Sequence, residues 1–140
     1  MARMAEILAL ITEDTIDEAL LESFVSSSTN GALVTFRGVV RNHDRGQSVT
    51  ALEYEAHPDA VSFLEDCARR VATEFDLAVA ASHRIGSLVV GDVALLVAVA
   101  APHRAEAFAA CSKLVELIKS TVPIWKRQHL ADGVTEWVGL

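Results

Sequence analysis

The chain has few of the residues that build disulfide frameworks and zinc sites: two cysteines, Cys67 and Cys111, among 140 residues. Both fall inside apolar helical patterns, and their spacing is not that of paired or metal-binding cysteines. This pattern excludes a scaffold held together by disulfides. We expect neither a metal centre nor a bound cofactor.

Long apolar runs are absent as well. The longest, residues 93–102, covers about half of a membrane span, and residues 1–14 lack the uncharged stretch of a signal peptide. No internal repeat, low-complexity tract or change of composition marks a linker. With 51% hydrophobic residues, the chain can bury a core of its own. We therefore expect one domain over residues 1–140, in a cytoplasmic protein without a membrane segment.

Basic side chains are outnumbered, since 12 Lys and Arg residues accompany 19 Asp and Glu residues, giving a formal net charge of −7. Residues 1–30 carry six acidic side chains and one arginine, a net charge of −5. Residues 103–129 carry five basic side chains and two acidic ones, a net charge of +3. An acidic protein lacks the broad basic face that nucleic-acid binding requires. The local basic patch is better suited to one small anion.

Hydrophobic periodicity predicts an α+β fold with a mixed or antiparallel sheet. The predicted helices cover residues 15–27, 58–75 and 103–121. The predicted strands cover residues 5–12, 31–41, 49–57, 77–86, 93–101, 124–130 and 134–138. The predicted order is therefore β-α-β-β-α-β-β-α-β-β.

Local signals indicate where the helices start and stop and which side they bury. Thr15 is predicted to cap the first helix, with Glu18 completing a capping box. Pro123 is predicted to end the third helix, because proline lacks a backbone donor and clashes with the preceding turn. The predicted buried positions are Ile16, Leu20 and Phe24; Val61, Leu64, Cys67 or Ala68, and Val71; and Phe108, Cys111, Val115 and Ile118.

Turn residues predict the connections between strands. Residues 42–48 are polar and contain one glycine, so we expect a mobile loop that becomes ordered over a ligand. Gly91-Asp92 and Asp132-Gly133 are typical of tight hairpin turns.

Lys119 and Lys126 are two of the three lysines in the chain, and they flank a proline. Lys119 lies one turn before the end of a predicted helix, where the helix dipole alone would favour a cation. Lys126 shares its strand face with Ile124 and Gln128, so on a packed face its ammonium group would need a partner or a ligand. If the two lysines converge, their repulsion lowers the pKa of at least one and makes it suitable for proton transfer.

Other basic residues occupy positions where an anion could bind. His103 and Arg104 join a predicted strand to the start of a helix, whose free N–H groups and dipole favour phosphate. They could equally be a helix cap and a solvated charge. Arg41 ends a predicted strand just before the polar loop. His83 and Arg84, within a predicted strand, are interpreted as structural or interface residues.

Five segments, taken in order, resemble one family. They are GALVTFRGVVRNH, LEYEAHP, HRIG, PHRAEAF and LIKSTVPIWKRQ, and the resemblance covers roughly residues 30–138. The family is MoaE, the large subunit of molybdopterin synthase. The resemblance implies an α/β hammerhead fold and a homodimer of large subunits, with a small ubiquitin-like subunit at each end of a heterotetramer.

The resemblance also implies a reaction. The small subunit, a MoaD-like sulfur carrier, inserts a Gly-Gly tail that ends in a thiocarboxylate, and two such sulfurs convert cyclic pyranopterin monophosphate into the dithiolene of molybdopterin. By position, Lys119 and Lys126 resemble the catalytic lysines of the family. The residues that resemble its substrate-anion ligands are Arg41, His103, Arg104 and Arg127. His103 and Arg104 are expected to reach the site from the neighbouring subunit of the dimer.

Two positions depart from the family pattern. Pro102 stands where a small residue commonly precedes the His-Arg pair, and Gln128 stands where glutamate is frequent. The chain contains no ubiquitin-like segment, so we expect the small subunit to be a separate protein.

Two other interpretations of the sequence stay open. A non-catalytic α+β module could use the same basic pocket to bind a phosphorylated metabolite, and a degenerate paralogue could keep the fold without the activity. A binding module needs phosphate ligands only, whereas the transferase also needs a channel for a peptide tail that ends at the two lysines. The presence of both lysines argues against a degenerate paralogue.

Overall fold

Nine strands and three helices follow one another along residues 6–140, the part of the chain that the computed structural model describes. The helices are α1 (Glu18–Val25), α2 (Ala60–Phe75) and α3 (Arg104–Thr121). The strands are β1 (Ile7–Thr12), β2 (Ala32–Val39), β3 (His43–Asp44), β4 (Gln47–Ala56), β5 (Val79–Arg84), β6 (Gly86–Val89), β7 (Val93–Ala101), β8 (Ile124–Leu130) and β9 (Thr135–Gly139). All the predicted helices and strands are present, and β3 and β6 are additional. Residue 5 of the first predicted strand lies outside the described residues.

The first sheet has the strand order β1-β5-β7-β2 and is covered on both faces. β1 is parallel to β5, whereas β5 and β2 are antiparallel to β7. On one face, α2 and α3 pack against residues that include Val97 and Val99. On the other face, α1 packs against residues that include Leu96 and Ala98. Because both faces are buried, β7 needs a continuous apolar sequence rather than an alternating one.

The second sheet has the strand order β3-β4-β8-β9, with β6 also paired to β4, and all its pairings are antiparallel. The pairing of β8 with β9 places Gln128 opposite Glu136. These two strands are joined through Asp132 and Gly133, as the sequence predicts, and Gly133 has a φ of 88°. One mixed sheet and one antiparallel sheet, together with three helices, confirm the predicted α+β class.

The connection between β5 and β7 differs from the predicted tight hairpin. Instead of turning directly at Gly91-Asp92, the chain forms β6, which leaves the first sheet and pairs with β4. Leu88 of β6 is 1% exposed, so this strand contributes a core side chain of its own. The turn falls at Val90 and Gly91. The prediction was wrong because a strand of four residues is too short for its alternation to be distinguished from a turn.

The first helix is capped by a residue other than the predicted one. Asp17 is the N-cap of α1, and its Oδ1 accepts a hydrogen bond from the backbone N–H of Leu20 at 3.1 Å. Thr15 lies two positions before this cap, too early to serve the first turn of a helix that begins at Glu18. The predicted capping box is therefore wrong.

The helices also bury partly different faces from those predicted. In α1, Leu21 and Val25 contact the core. The predicted positions that are instead exposed are Leu20, Phe24, Val61 and Phe108. The other predicted positions are buried: Ile16, Leu64, Cys67, Ala68, Val71, Cys111, Val115 and Ile118. In α1 the two candidate stripes have the same four-residue spacing, so periodicity alone could not choose between them.

Residues 42–48, predicted as a loop, contain β3 and the start of β4. Arg45 and Gly46 form the turn between the two strands, with φ angles of 48° and 79°. Two consecutive positive φ angles are typical of a type I′ turn, whose twist matches that of paired strands. The prediction that these residues contain no strand is wrong, because arginine is not among the residues that usually signal this turn. That they become ordered over a ligand stays a prediction.

The end of α3 agrees with the prediction. The helix stops at Thr121, Val122 is its C-cap, and β8 begins just after Pro123. Two residues therefore suffice to pass from a helix on the first sheet to a strand of the second. None of the helices within residues 6–140 combines the length and the apolarity that crossing a membrane requires.

Candidate active site

A cavity of about 320 Å³ is lined by residues from both sheets and from the last turn of α3. Its polar and charged lining residues are Arg41, His43, Tyr54, His83, Lys119, Lys126 and Gln128. Among the described residues that line this cavity, none is an aspartate or a glutamate. The cavity is therefore cationic, although the chain as a whole is acidic, and it suits an anionic ligand.

Lys119 and Lys126 approach this cavity from two different elements. Lys119 lies in the last turn of α3, and Lys126 lies near the start of β8. The short connection through Pro123 reverses the chain, so both side chains line the same space. Gln128 lines it too, which agrees with the alternation of side chains predicted for this strand.

The pKa of the Lys126 ammonium group is lowered from its ordinary value of 10.5, and burial is the largest cause. The positive charges of Lys119, Arg41 and Arg45 lower this pKa further, while the carboxylate of Asp44 opposes them. Repulsion between the two lysines therefore contributes, as the sequence suggested, but desolvation contributes more. A lysine in such surroundings gives up its proton more readily than a solvated one.

Arg41 is the third cation of the cavity. Its side chain is 66% exposed, and its only ion pair among the described residues is with Asp44, at 3.4 Å from guanidinium nitrogen to carboxylate oxygen. A guanidinium group that is exposed and held by one long contact can turn to an incoming anion at little cost.

A polar network ties the turn between β3 and β4 to the rest of the second sheet. Gln128 is 2% exposed, and its Nε2 donates to Asp44 Oδ2 and to Glu136 Oε1, both at 2.9 Å. Arg45 donates to Glu136 at 3.1 Å. The hydrogen bond from Gln128 is the largest cause that lowers the pKa of Asp44. The amide of Gln128 can donate to two carboxylates at once, which a glutamate in this position could not do.

His83 also lines the cavity, although the sequence suggested only a structural or interface role. Its side chain is 2% exposed, and its Nδ1 lies 2.7 Å from the backbone carbonyl oxygen of Arg84. The ring forms a T-shaped pair with Tyr54, with 4.9 Å between ring centroids and an interplanar angle of 75°. Burial, the largest cause, lowers the pKa of His83 to about 4, and the charge of Lys119 acts in the same direction. The imidazole is therefore neutral at physiological pH.

Arg127 lies on the opposite side of β8. Its NH2 group donates to both carboxylate oxygens of Glu53, at 3.1 and 3.2 Å. The guanidinium carbon lies 5.7 Å from the ring centroid of Trp137. The structure therefore does not bring Arg127 together with the two lysines, as expected for a residue next to Lys126 in a strand.

His103 and Arg104 lie at the far end of α3. His103 is the N-cap of the helix, but its side chain makes no capping hydrogen bond. Both residues line a separate open cavity with Gly31 and Pro102. At 1.5 Å per residue, the start of α3 is roughly 22 Å along the helix axis from Lys119. Within one chain, the two predicted anion ligands therefore cannot reach the cavity of the lysines.

A larger groove of about 720 Å³ runs along α2 and is lined by residues that include Phe63, Cys67 and Arg70. Its lysine, Lys113, is already paired with Glu74 at 2.6 Å. This groove lacks a cluster of unpaired charges, so we place the candidate active site in the smaller cavity. Within residues 6–140, no group of three or more His, Cys, Asp or Glu side chains is arranged to hold a metal ion.

Comparison with known proteins agrees with the resemblance found in the five sequence segments. The family model described as MoaE protein matches residues 11–121. The molybdopterin synthase catalytic subunit 1 of Mycobacterium tuberculosis is 42% identical over 129 residues, which cover 89% of this chain and 84% of that protein.

Solved structures support the same relationship. The crystal structure of molybdopterin synthase from Staphylococcus aureus superimposes with a TM-score of 0.83 and 33% sequence identity over 100% of both chains. The complex of subunits 1 and 2 of molybdopterin-converting factor from Helicobacter pylori contains a chain with the same fold, with a TM-score of 0.68 and 17% identity over 95% of this chain and 88% of that one. The family match over most of the chain, together with close relatives along nearly its whole length, shows that this protein belongs to the MoaE family.

Proposed function

We propose that the chain is the catalytic subunit of a molybdopterin synthase. In this role it transfers sulfur from the thiocarboxylated tail of a small ubiquitin-like subunit to cyclic pyranopterin monophosphate and forms the dithiolene of molybdopterin. The observation that carries the proposal is the cavity, which is lined by Arg41 and by two of the chain's three lysines. The names of the relatives in the family support the same activity.

The cations of the cavity suit the two anions of this reaction. The tail of the small subunit ends in a thiocarboxylate, and the pterin carries a cyclic phosphate. Arg41 and Lys126 are available for the phosphate, since Arg41 is largely exposed and, within residues 6–140, is paired only with Asp44, by a long contact. Lys119, at the end of α3, is then the cation that meets the tail. A binding site made of fixed positive charges costs little reorganisation when charge develops during the reaction.

Sulfur transfer requires two bonds to form and two to break. The thiocarboxylate sulfur attacks a pterin carbon and displaces oxygen, which leaves with a proton. Water then adds to the thioester carbonyl of the tail, and the resulting tetrahedral intermediate releases the carbon–sulfur bond, so that the tail ends as a carboxylate. Lys119 stabilises the oxyanion of this intermediate. Lys126, whose pKa burial lowers, supplies the proton to the departing oxygen.

A second copy of the chain would complete the site if His103 and Arg104 bind substrate. Because these residues lie at the far end of α3, only a neighbouring subunit can bring them to the lysines. An apolar side chain that a dimer could cover is exposed nearby. Leu33 is 46% exposed and follows Ala32, which lines the same cavity as His103. A two-fold homodimer would use the same surface on both copies.

The small subunit is proposed to be a separate protein. In the solved Helicobacter pylori complex, a chain with the same fold is bound to a second subunit of molybdopterin-converting factor. We propose an equivalent complex here, with a homodimer of this chain at the centre of a heterotetramer.

The test measures dithiolene formation in a single turnover with a purified, fully thiocarboxylated small subunit and cyclic pyranopterin monophosphate. Lys119→Ala should slow the reaction by a factor on the order of 10² or more, while binding of the small subunit stays nearly intact. Lys119→Arg should not restore the rate, because arginine keeps the charge but not the compact, mobile ammonium group.

Lys113→Ala is the matched control, because it removes the third lysine, which is paired with Glu74 outside the cavity. It should react at the normal rate. Dithiolene formation by Lys119→Ala at a rate close to that of the wild type would refute the catalytic assignment. Tight binding of the phosphorylated pterin without any turnover would instead favour a metabolite-binding module.

A further inference from the structure

His83 is the one histidine of the cavity that is buried, and it is held in place by two contacts. It lies in β5 opposite Leu95 of β7, at the end of the first sheet where the chain leaves for β6. Its Nδ1 contacts the carbonyl oxygen of Arg84 at 2.7 Å, and its ring forms a T-shaped pair with Tyr54. A histidine fixed in this way presents one defined edge to the cavity.

The contact with Arg84 determines the tautomer. A carbonyl oxygen can only accept a hydrogen bond, so Nδ1 of His83 must carry the ring proton and donate it. In the neutral ring, Nε2 is then a bare acceptor. Within residues 6–140 Nε2 has no hydrogen-bond partner, and it belongs to a side chain that lines the same cavity as Lys119.

The cations that line this cavity need hydrogen-bond acceptors beside them. Lys119, Lys126 and Arg41 are all donors, and none of the described lining side chains is an aspartate or a glutamate. When a ligand displaces water from such a site, each ammonium group loses hydrogen-bond acceptors that it cannot easily replace. An imidazolium in this position would add a fourth cation and make the problem worse, whereas a neutral imidazole supplies an acceptor without adding a charge.

We propose that His83 is a positioning residue for Lys119: its Nε2 accepts a hydrogen bond from the Lys119 ammonium group when the tail of the small subunit fills the cavity. The hydrogen bond holds one N–H of Lys119 against β5 and directs the others toward the thiocarboxylate carbon. This role rests on the function proposed above and adds to it a residue that neither transfers a proton nor touches the substrate.

The first test observes the ring nitrogen and needs no turnover. The protein is labelled with ¹⁵N-histidine and saturated with small subunit that carries an ordinary carboxylate tail, and binding is verified by sedimentation. His83 should show the Nδ1–H tautomer, and its Nε2 resonance, assigned by its loss in His83→Gln, should move in Lys119→Met. Lys113→Met is the control and should leave the resonance unchanged. An Nε2 resonance that is the same with and without Lys119 would overturn the proposal.

The second test separates positioning from a purely structural role. In His83→Asn the amide can replace the donor at Nδ1 but cannot reach the position of Nε2, whereas in His83→Gln the longer side chain can place an oxygen there. Positioning predicts that His83→Asn lowers kcat by about 10-fold or more with an unchanged KM for the small subunit, and that His83→Gln keeps most of the rate. The opposite order, with glutamine damaging and asparagine harmless, would show that only the hydrogen bond to the backbone matters.

Melting temperatures of both variants are compared with that of the wild type, so that loss of folding is recognised. The result for His83 can be distinguished from a failure of the proposed function. If the wild type forms no dithiolene with any thiocarboxylated small subunit, the proposed function fails, and the ¹⁵N measurement still decides whether His83 accepts a hydrogen bond from Lys119.

Discussion

Replacement of Gln128 by leucine is expected to destabilise the protein by about 2–4 kcal/mol at neutral pH. The side chain is 2% exposed, and its Nε2 donates to Asp44 and Glu136, both at 2.9 Å. A hydrogen bond to a charged group contributes about 1.5–3 kcal/mol. Two such hydrogen bonds give about 3–6 kcal/mol. The expected loss lies around the lower end of this range, because Glu136 is partly exposed and keeps its contact with Arg45. Leucine fills a similar volume, so little of the loss comes from a cavity.

The loss should depend on pH in a defined direction. The pKa of Asp44 is lowered from 3.8 in the folded protein, chiefly by the hydrogen bond from Gln128. A carboxylate with a lowered pKa stabilises the folded state above its unfolded pKa, and this contribution is lost as the pH falls through the folded value. The difference in free energy of unfolding between the wild type and Gln128→Leu should therefore be largest at pH 7, and it should shrink below pH 3.8.

The measurement is urea unfolding of both proteins at several pH values, with the free energy of unfolding taken from the midpoint and slope. Gln47→Leu is the control, because Gln47 is the other glutamine of the chain and is exposed. It should change the free energy of unfolding by less than about 0.5 kcal/mol. Equal stability of Gln128→Leu and the wild type at pH 7 would show that the network does not hold the β3–β4 turn in place.

Three further predictions follow from the same structure. Lys126 should react with an acylating reagent at lower pH than a free lysine side chain, because burial lowers its pKa below 10.5. If it reacts only at the pH at which a free lysine reacts, its pKa is not lowered. If Arg104 acts across a dimer, mixing and refolding equal amounts of Arg104→Ala and Lys119→Ala should restore about a quarter of the wild-type activity, since half the dimers then contain one intact site. Mixtures without activity would place both residues in the same subunit's site. Gly46→Val should lower the free energy of unfolding by about 1–3 kcal/mol, because Gly46 has a φ of 79°; unchanged stability would mean that the turn adopts another form.

Much of the fold could be predicted from the sequence where long elements carry a clear period. The continuous apolar run of β7 and the spacings of three and four residues in α2 and α3 located elements of nine residues or more. Asp132-Gly133 located a hairpin because its turn requires the residues that usually signal it. The short elements were missed, since β3 has two residues and β6 has four.

The candidate site was only partly predictable. Lys119 and Lys126 could be placed near each other, because a proline between a helix and a strand reverses the chain within a few residues. The position of His83 could not be predicted, because its strand ends at a cavity formed by elements distant in sequence. One local signal was available: a histidine in a run of apolar strand residues needs a hydrogen-bond partner, which Arg84 supplies through its backbone.

The location of the cavity follows from the way the chain passes between the two sheets. It leaves the first sheet after β2, next to Arg41, and again after β5, next to His83. It enters the second sheet a third time between Lys119 and Lys126. Each of these three passages of the chain into the second sheet therefore supplies at least one residue of the cavity.

Backbone hydrogen bonds hold the first and third of these passages to neighbouring segments of the chain. The backbone N–H of Val40, just after β2, donates to the carbonyl oxygen of Asp92 at 2.9 Å, and Gly91 N–H donates to Val40 at 2.8 Å. At the third passage, His57 N–H donates to the carbonyl oxygen of Pro123 at 3.0 Å. Arg41, Lys119 and Lys126 are therefore carried by backbone that hydrogen bonds hold to neighbouring segments. Preorganised electrostatic catalysis requires rigidity of this kind.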